Sequence, residues 1–431
     1  MADASLHRAL GLPGAIFMGL GAILGTGVFV SLAVATGVAG SAILPAVLLA
    51  GLLAICNGLS SAQLAAAHPV SGGTYEYGYR WLSPVLGFSA GWMFLAAKSA
   101  SAATAALGLA GYLLHVVQGP AGLAVPLALG SVALFTLLVA AGIRRGNQAN
   151  LAIVSLTLAG LAVFVLAGLP AVTPARLALA PPSPGALLEA AALVFVAYTG
   201  YGRIATLGEE VRQPARTIPL AIIVTLGITV LLYGAVALVA VGTLGAAEFA
   251  ATVSGAAAPL EQVAAALQRP AVALLVSVTA ITAMGGVLLN LLLGLSRVVL
   301  AMARRGDLPP ALARVEQTSG SPRRAVLLVG GIIATLTLAG DVRLTWSFSA
   351  LTVLVYYALT NLAALRLEAG HRLYPRAISW AGLAGCLGLA WWLDVAVWAS
   401  AVPVLLLGLL WHRYARRRWA GTAGAASDSD A

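Results

Sequence analysis

Polar positions are sparse along this chain, and they gather in short clusters. Between the clusters lie twelve apolar stretches, at 12–37, 41–66, 85–116, 122–143, 148–170, 186–206, 217–244, 270–303, 324–340, 344–366, 376–393 and 396–414. Each approaches or exceeds the ~20 residues that a helix needs to cross a bilayer core. None alternates with the period of two that a barrel strand carries. Hydrocarbon offers a backbone no hydrogen-bond partner, so the stretches predict helices. A tight hairpin at Asp394 separates the last two.

Composition narrows the class. Of 431 residues, 61% are hydrophobic and 9% are Asp, Glu, Lys or Arg, against roughly 25% charged residues in soluble domains. That excludes a soluble enzyme and, despite the net charge of +10, a nucleic-acid binder. Cys56 and Cys386 both sit in apolar runs, which rules out a disulfide framework. The five histidines show no metal-ligand spacing. No metal, cofactor or nucleic-acid partner is expected, and the lipid bilayer is.

Arginine placement chooses the sides. With both termini in the cytoplasm, all arginines except Arg176, Arg269 and Arg343 fall on or near the cytoplasmic face, as the positive-inside rule requires. The N-terminus lacks the small-residue cleavage pattern of a signal peptide. The expected organisation is an N-terminal cytoplasmic segment (1–11), a ten-helix core (12–368, in halves of about 12–170 and 186–366), two added helices (369–418) and a disordered tail (419–431).

Two spans carry breaks. The first reads Gly19-Leu20-Gly21-Ala22-Ile23-Leu24-Gly25-Thr26-Gly27, and each glycine costs about 1 kcal/mol against alanine in a helix. Close packing through Gly21 and Gly25 is one reading; a discontinuous helix is the other. The sixth span, Val194 to Gly202, is interrupted by Gly200 and Gly202. Spans one and six hold the same place in two sets of five. Such paired interruptions point to a transporter's binding site. A half-helix N-terminus offers N–H groups to an anion, and the opposing C-terminus offers carbonyls to a cation. Together they suit a zwitterion, of which an amino acid is the commonest.

Four stretches resemble the amino-acid permeases of the amino acid–polyamine–organocation (APC) superfamily. They are Gly21 to Phe29; Pro69-Val70-Ser71-Gly72-Gly73-Thr74-Tyr75-Glu76-Tyr77 running on to Gly91-Trp92; Phe195 to Tyr201 followed by Glu209-Glu210-Val211-Arg212-Gln213-Pro214; and Ser296-Arg297 through Arg305-Gly306-Asp307-Leu308-Pro309. The resemblance implies an all-α membrane protein of about twelve helices. It also implies an inverted five-plus-five repeat of the leucine-transporter type, with helices one and six broken, and alternating access about a central site. The substrate carboxylate would meet N–H groups of Ile23, Leu24, Gly25, Thr26 and Gly27. The ammonium would meet carbonyls near Val196, Ala197 and Thr199, with Tyr198 and Gly200 beside them.

The chain departs from that family in three places. Gly202, beside Arg203, stands where many relatives carry an acid. The fifth span lacks the lysine of some proton-coupled relatives; the matching position is about Ala159. Val196 replaces a larger aromatic.

Lys98 is the chain's only lysine and lies near mid-span in helix three. An ammonium there costs several kcal/mol unless it is paired, snorkels or loses its proton. It is expected to bond freed backbone carbonyls, to serve as a proton-linked switch, or to touch substrate. A similarity in register to arginine/agmatine antiporters places it on the substrate side. Either functional role disfavours cationic substrates. Thr26 and Thr199 either bind substrate or back-bond to helix carbonyls. Tyr198 and Tyr201 are gate residues or packed aromatics. Glu209 and Glu210 with Arg203, Arg212 and Arg216 form a solvated loop or an inner-gate latch. Gly87-Phe88-Ser89-Ala90-Gly91 has the G-x-S-x-G spacing of hydrolases but opens a helix, without the required strand before it.

The expected function is secondary transport of an amino acid, neutral by the Lys98 argument, across a bacterial-type plasma membrane, with protons as a possible coupling ion. Exporter or exchanger activity, or a non-transporting sensor or subunit, are the alternatives. No P-loop pattern suggests ATP coupling.

Overall fold

The computed structural model describes residues 10–68, 72–142, 147–178, 183–205, 211–316 and 320–427, without the side chains of Asn147 and of residues beyond Arg418. The described residues form helices and links; their one strand-like contact is an isolated bridge between Leu10 and Val211. The first apolar stretch gives α1 (Leu12–Ile23) and α2 (Leu32–Ala39), followed by α3 (Ile43–Ala67), α4 (Thr74–Trp81) and α5 (Pro84–Val117). Next come α6 (Ala124–Ala140), α7 (Asn147–Gly168), α8 (Pro184–Tyr198), α9 (Gly202–Ala205) and α10 (Pro214–Leu244). Two short helices, α11 (Ala246–Ala251) and α12 (Pro259–Ala266), precede α13 (Pro270–Arg304) and α14 (Arg323–Thr337). The chain ends with α15 (Val342–Leu365), α16 (Arg376–Trp391) and α17 (Val395–Ser427).

Local signals set several starts. Pro84, Pro184, Pro214 and Pro270 open their helices, where a missing N–H costs nothing. Ser83 caps α5 by accepting from the Leu86 N–H. Asp341 caps α15 by accepting from the Arg343 N–H at 2.7 Å.

Among the described residues, nine helical segments are long and apolar enough to cross a membrane. The twelve expected crossings differ from that count for a physical reason. α14 and α16 have 15 and 16 residues, too short at 1.5 Å per residue to span ~30 Å unaided. The continuous Gly27–Ala67 segment also holds α2, a turn and α3 together. A second difference concerns the tail. α17 runs to Ser427, where disorder is expected after Trp419. Ala420, Ala423, Ala425 and Ala426 favour helix enough to continue it; residues 428–431 lie outside the described ones.

The molecule is inside-out by soluble standards. Leu166 and Leu231 are 69% and 76% exposed, whereas Asn57, Ser60, Thr104, Thr360 and Asn361 are sealed inside. Apolar side chains cover the outer faces, and most buried polar groups are paired between or within helices. α5 runs through the centre and packs on α15, α13, α4, α6, α14 and α17. On its seam with α15, Ser101 and Thr104 meet Ser349 and Thr345, each pair at 2.8 Å.

Candidate functional site: two helix breaks that touch

The first break begins at Leu24. Its backbone is extended (φ −76°, ψ 104°) and its N–H still bonds Leu20 O at 2.7 Å. The chain resumes in a wide π-type turn over Gly27–Ser31 before α2. Such turns collect at functional sites. Glycines on both sides of the break serve packing. A Cβ at Gly21 would run into Asn150 of α7, and one at Gly25 into Val287 of α13. Both sequence readings therefore hold, at different residues: close approach at Gly21 and Gly25, discontinuity from Leu24 to Thr26.

The second break is tighter. α8 stops at Tyr198, and a 3₁₀ turn over Thr199–Tyr201 leads into α9. Gly202 keeps helical angles, so the interruption is a narrowing of the helix and not an unwound loop. The two breaks touch. A Cβ at Gly27 would lie 2.7 Å from the Ala197 Cβ, and one at Gly200 would strike the Ala22 carbonyl. The Tyr233 hydroxyl on α10 joins them, 3.1 Å from Ile23 O and 3.3 Å from Ala197 O. It has one hydrogen for two carbonyls.

Side chains at the junction are few. Thr199 Oγ1 donates back to Val196 O at 2.6 Å and accepts from Lys98 Nζ at 2.6 Å. Among the described residues no carboxylate pairs with Lys98. Thr26, 3% exposed, has no partner for Oγ1 among the described residues. Tyr357 donates to Thr199 O at 3.2 Å. The junction thus offers backbone polarity, one ammonium and two hydroxyls, of Thr26 and Tyr201, without hydrogen-bond partners among the described residues.

A family model described as amino acid permease matches residues 10–419. The chain belongs to the amino acid permease family. An uncharacterized transporter of Mycobacterium tuberculosis (strain H37Rv) is 41% identical over 407 residues, covering 94% of this chain and 90% of the relative. A branched-chain amino acid permease of Bacillus subtilis is 28% identical over 408 residues, covering 90% of this chain and 87% of that protein. A methylthioribose transporter of the same organism is 30% identical over 350 residues, covering 77% and 74%. This permease is accordingly a multi-pass membrane transporter for a small molecule, and its family is one of carriers, not enzymes.

The remaining expected residues separate in the permease structure. Ile23, Leu24, Gly25, Thr26, Gly27, Lys98, Val196, Ala197, Tyr198, Thr199 and Gly200 all lie at or beside the junction. The Val196 carbonyl accepts from both the N–H and the hydroxyl of Thr199, the Thr199 carbonyl from the Gly202 N–H and the Tyr357 hydroxyl, and the Ala197 carbonyl from Tyr233. Tyr198 donates to Val47 O at 3.2 Å and packs on Tyr233. Tyr201 packs on Tyr357. Both are fully buried. Ala159 faces outward, and its inward neighbour Gly160 abuts Thr279. Glu209 and Glu210 lie outside the described residues, and Arg203 is exposed. Near the expected latch, the Arg212 N–H bonds Leu10 O at 2.9 Å.

Sequence reasoning missed a second buried polar region, at the arginine-rich end. There Asp307, 3% exposed, accepts from the Tyr75 hydroxyl at 2.6 Å and from the Tyr79 hydroxyl at 2.7 Å. His412 Nδ1 stands 3.3 Å from the same carboxylate. Arg305 lies 4.2 Å over the Tyr79 ring and pairs with Glu76 at 2.6 Å. Burial, then the Asp307 charge, pushes the Tyr75 phenol well above its ordinary range. Tyr79 is raised too, by burial and then by its hydrogen bond to Asp307. Both phenols stay protonated and donate. The spacing Tyr75–Tyr79, one helical turn apart, was the available signal.

Proposed function

We propose that this permease is a secondary transporter of a neutral amino acid, working by alternating access about the junction of the two helix breaks. Its helices cross the membrane twelve times as an inverted five-plus-five repeat with two added helices, and both termini face the cytoplasm with the arginine-rich end. The substrate carboxylate meets the N–H groups at Gly25, Thr26 and Gly27 and the free Thr26 hydroxyl. The substrate ammonium meets the Val196, Ala197 and Thr199 carbonyls by displacing donors that they now hold. Lys98 is the proton-linked switch. Its bond to Thr199 places a titratable charge on the segment that holds the ammonium.

The observation that carries this reading is the contact of the two breaks beside a hydroxyl and an ammonium that, among the described residues, have no hydrogen-bond partner and no carboxylate partner respectively. A buried hydroxyl left unpaired costs about 1–3 kcal/mol, which a bound ligand removes. The relative named for branched-chain amino acids supports a neutral substrate; the one named for methylthioribose makes neutral non-amino-acids the control set.

The test is uptake of labelled amino acids into proteoliposomes, with and without an inward proton gradient, for wild type and Lys98→Ala. Gradient-driven uptake that disappears in the variant, while exchange persists, supports the switch. Gradient dependence that survives Lys98→Ala removes it. Movement of methylthioribose but no amino acid overturns the substrate class.

A further inference from the structure

A small cleft opens at the arginine-rich end, between the last residue of α3, the end of α4 and the link after α15. It is lined by Ala67, Arg80, Trp81, Leu367, Glu368 and His371 and measures about 340 Å³ counted to its open mouth. Its floor is apolar: Leu367 and Trp81 sit on a buried cluster that includes Leu64, Tyr77 and Ala364.

The cleft wall carries one arginine, one glutamate and one histidine. Arg80 donates from Nη1 to His68 Nδ1 at 3.2 Å, and its guanidinium lies 5.5 Å from the Trp81 ring centre. Because arginine only donates, His68 accepts at Nδ1 and carries its hydrogen on Nε2. Among the described residues Arg80 has no carboxylate partner. The one acid of the cleft, Glu368, is 86% exposed and stands 3.9 Å from His371 Nδ1, so its charge is screened by solvent. Arginine offers five N–H donors in a rigid fork. One is spent on His68, and the remaining ones have no charged acceptor.

We infer that this cleft is a phosphate-binding site, taking the headgroup phosphate of an anionic phospholipid or a free phosphate, with Arg80 as the principal ligand. A guanidinium fork matches phosphate oxygens in pairs. Basic pockets between helices on the cytoplasmic side take anionic headgroups, and a tryptophan beside the charge is the usual companion at headgroup depth. A phosphate here would bridge α3 and α4 to the link after α15. Burial, and next the Arg80 charge, keep His68 below its ordinary pKa. A bound anion beside the Arg80–His68 pair would favour its protonated form.

The experiment is thermal unfolding of the purified full-length protein in neutral detergent. The additives are dioctanoyl phosphatidylglycerol, dioctanoyl phosphatidylcholine and inorganic phosphate. The variants are Arg80→Gln, Arg80→Lys and, as a neighbouring basic control, Arg366→Gln. The expected result is a saturable rise in melting temperature with phosphatidylglycerol and none with phosphatidylcholine. Arg80→Gln should raise the half-saturating concentration roughly tenfold, the loss of one charged hydrogen bond. Arg80→Lys should fall between, and Arg366→Gln should match wild type. An equal rise with inorganic phosphate assigns the site to the free anion. No rise with either, or a rise that Arg80→Gln leaves intact, overturns the site. The readout is binding, so it stands or falls apart from the transport reading.

Discussion

Two buried polar regions sit in one bundle, and they are built on opposite plans. At the arginine-rich corner, every element brings a side chain: Tyr75, Glu76 and Tyr79 from α4, Arg305 and Asp307 from the end of α13, His412 from α17. The Trp411 indole adds a bond to Asp307 O at 2.9 Å. At the helix breaks, the polarity is mostly backbone, and Thr26 is left without a partner. A carboxylate held by several side chains resists change, because removing one partner strands another; at this corner only His412 Nε2 is buried with neither a hydrogen-bond nor an ion-pair partner among the described residues. A region with unpaired groups has capacity left over for a ligand. The first plan fastens α4 and α17 to the bundle; the second leaves a place to bind.

The strongest way to break that contrast is at the contact of the breaks. Gly200→Ala drives a methyl into the Ala22 carbonyl. Uptake should fall about a hundredfold, the scale of a ~1 Å misplacement at a preorganised site, with little loss of folded protein in detergent. If uptake stays near wild type, the breaks do not form the site.

The corner should fail in the other currency. Asp307→Ala strands two tyrosine hydroxyls and should destabilise the protein by about 3 kcal/mol, read as a lowered melting temperature. Asp307→Asn keeps an acceptor and should lose less. Equal loss in both variants would mean the charge, and not the acceptor, holds the corner.

A subtler change sharpens the role of the junction. Thr199→Val removes the Lys98 acceptor at nearly constant volume. It should reproduce the loss of gradient-driven uptake expected for Lys98→Ala, while Thr199→Ser retains it. A Thr199→Val protein with normal gradient response would detach the lysine from the helix-six turn.

The smallest effect lies at the opposite end. Glu261 on α12 stands 3.9 Å from His115, and burial raises its carboxyl above the ordinary 4.5, with His115 opposing. A carboxyl raised on folding stabilises in its protonated form, and that increment is lost as pH rises from 4.5 through the raised value. Hydrogen exchange in α12 should therefore quicken over that window in wild type and stay flat in Glu261→Gln. Flat exchange in both would place the loss elsewhere.

What could be read from the chain follows the range of each interaction. The break near Leu24 was legible because its cause is local: glycines clustered within a turn. Lys98 stood out because a lone cation in an apolar run is costly, while its structural, proton-linked and substrate-touching roles stayed open. Its bond to Thr199 was not legible, since it crosses 101 positions. Tyr233 and Asp307 were missed for the same reason. A single tyrosine in an apolar helix sets no period, and an aspartate in a loop motif does not announce which hydroxyls will reach it. The twelve expected crossings turn on α14 and α16, where helix length and not hydropathy decides.

The bond from Lys98 to Thr199 has a fixed sense. Val196 O can only accept, so the threonine hydrogen points to it, and the threonine lone pair faces the lysine. An amine donates more weakly than an ammonium does. Loss of a proton at Lys98 would therefore loosen its hold on the helix-six turn and change the field around it. Vibrational spectroscopy of the nearby carbonyls would see that change.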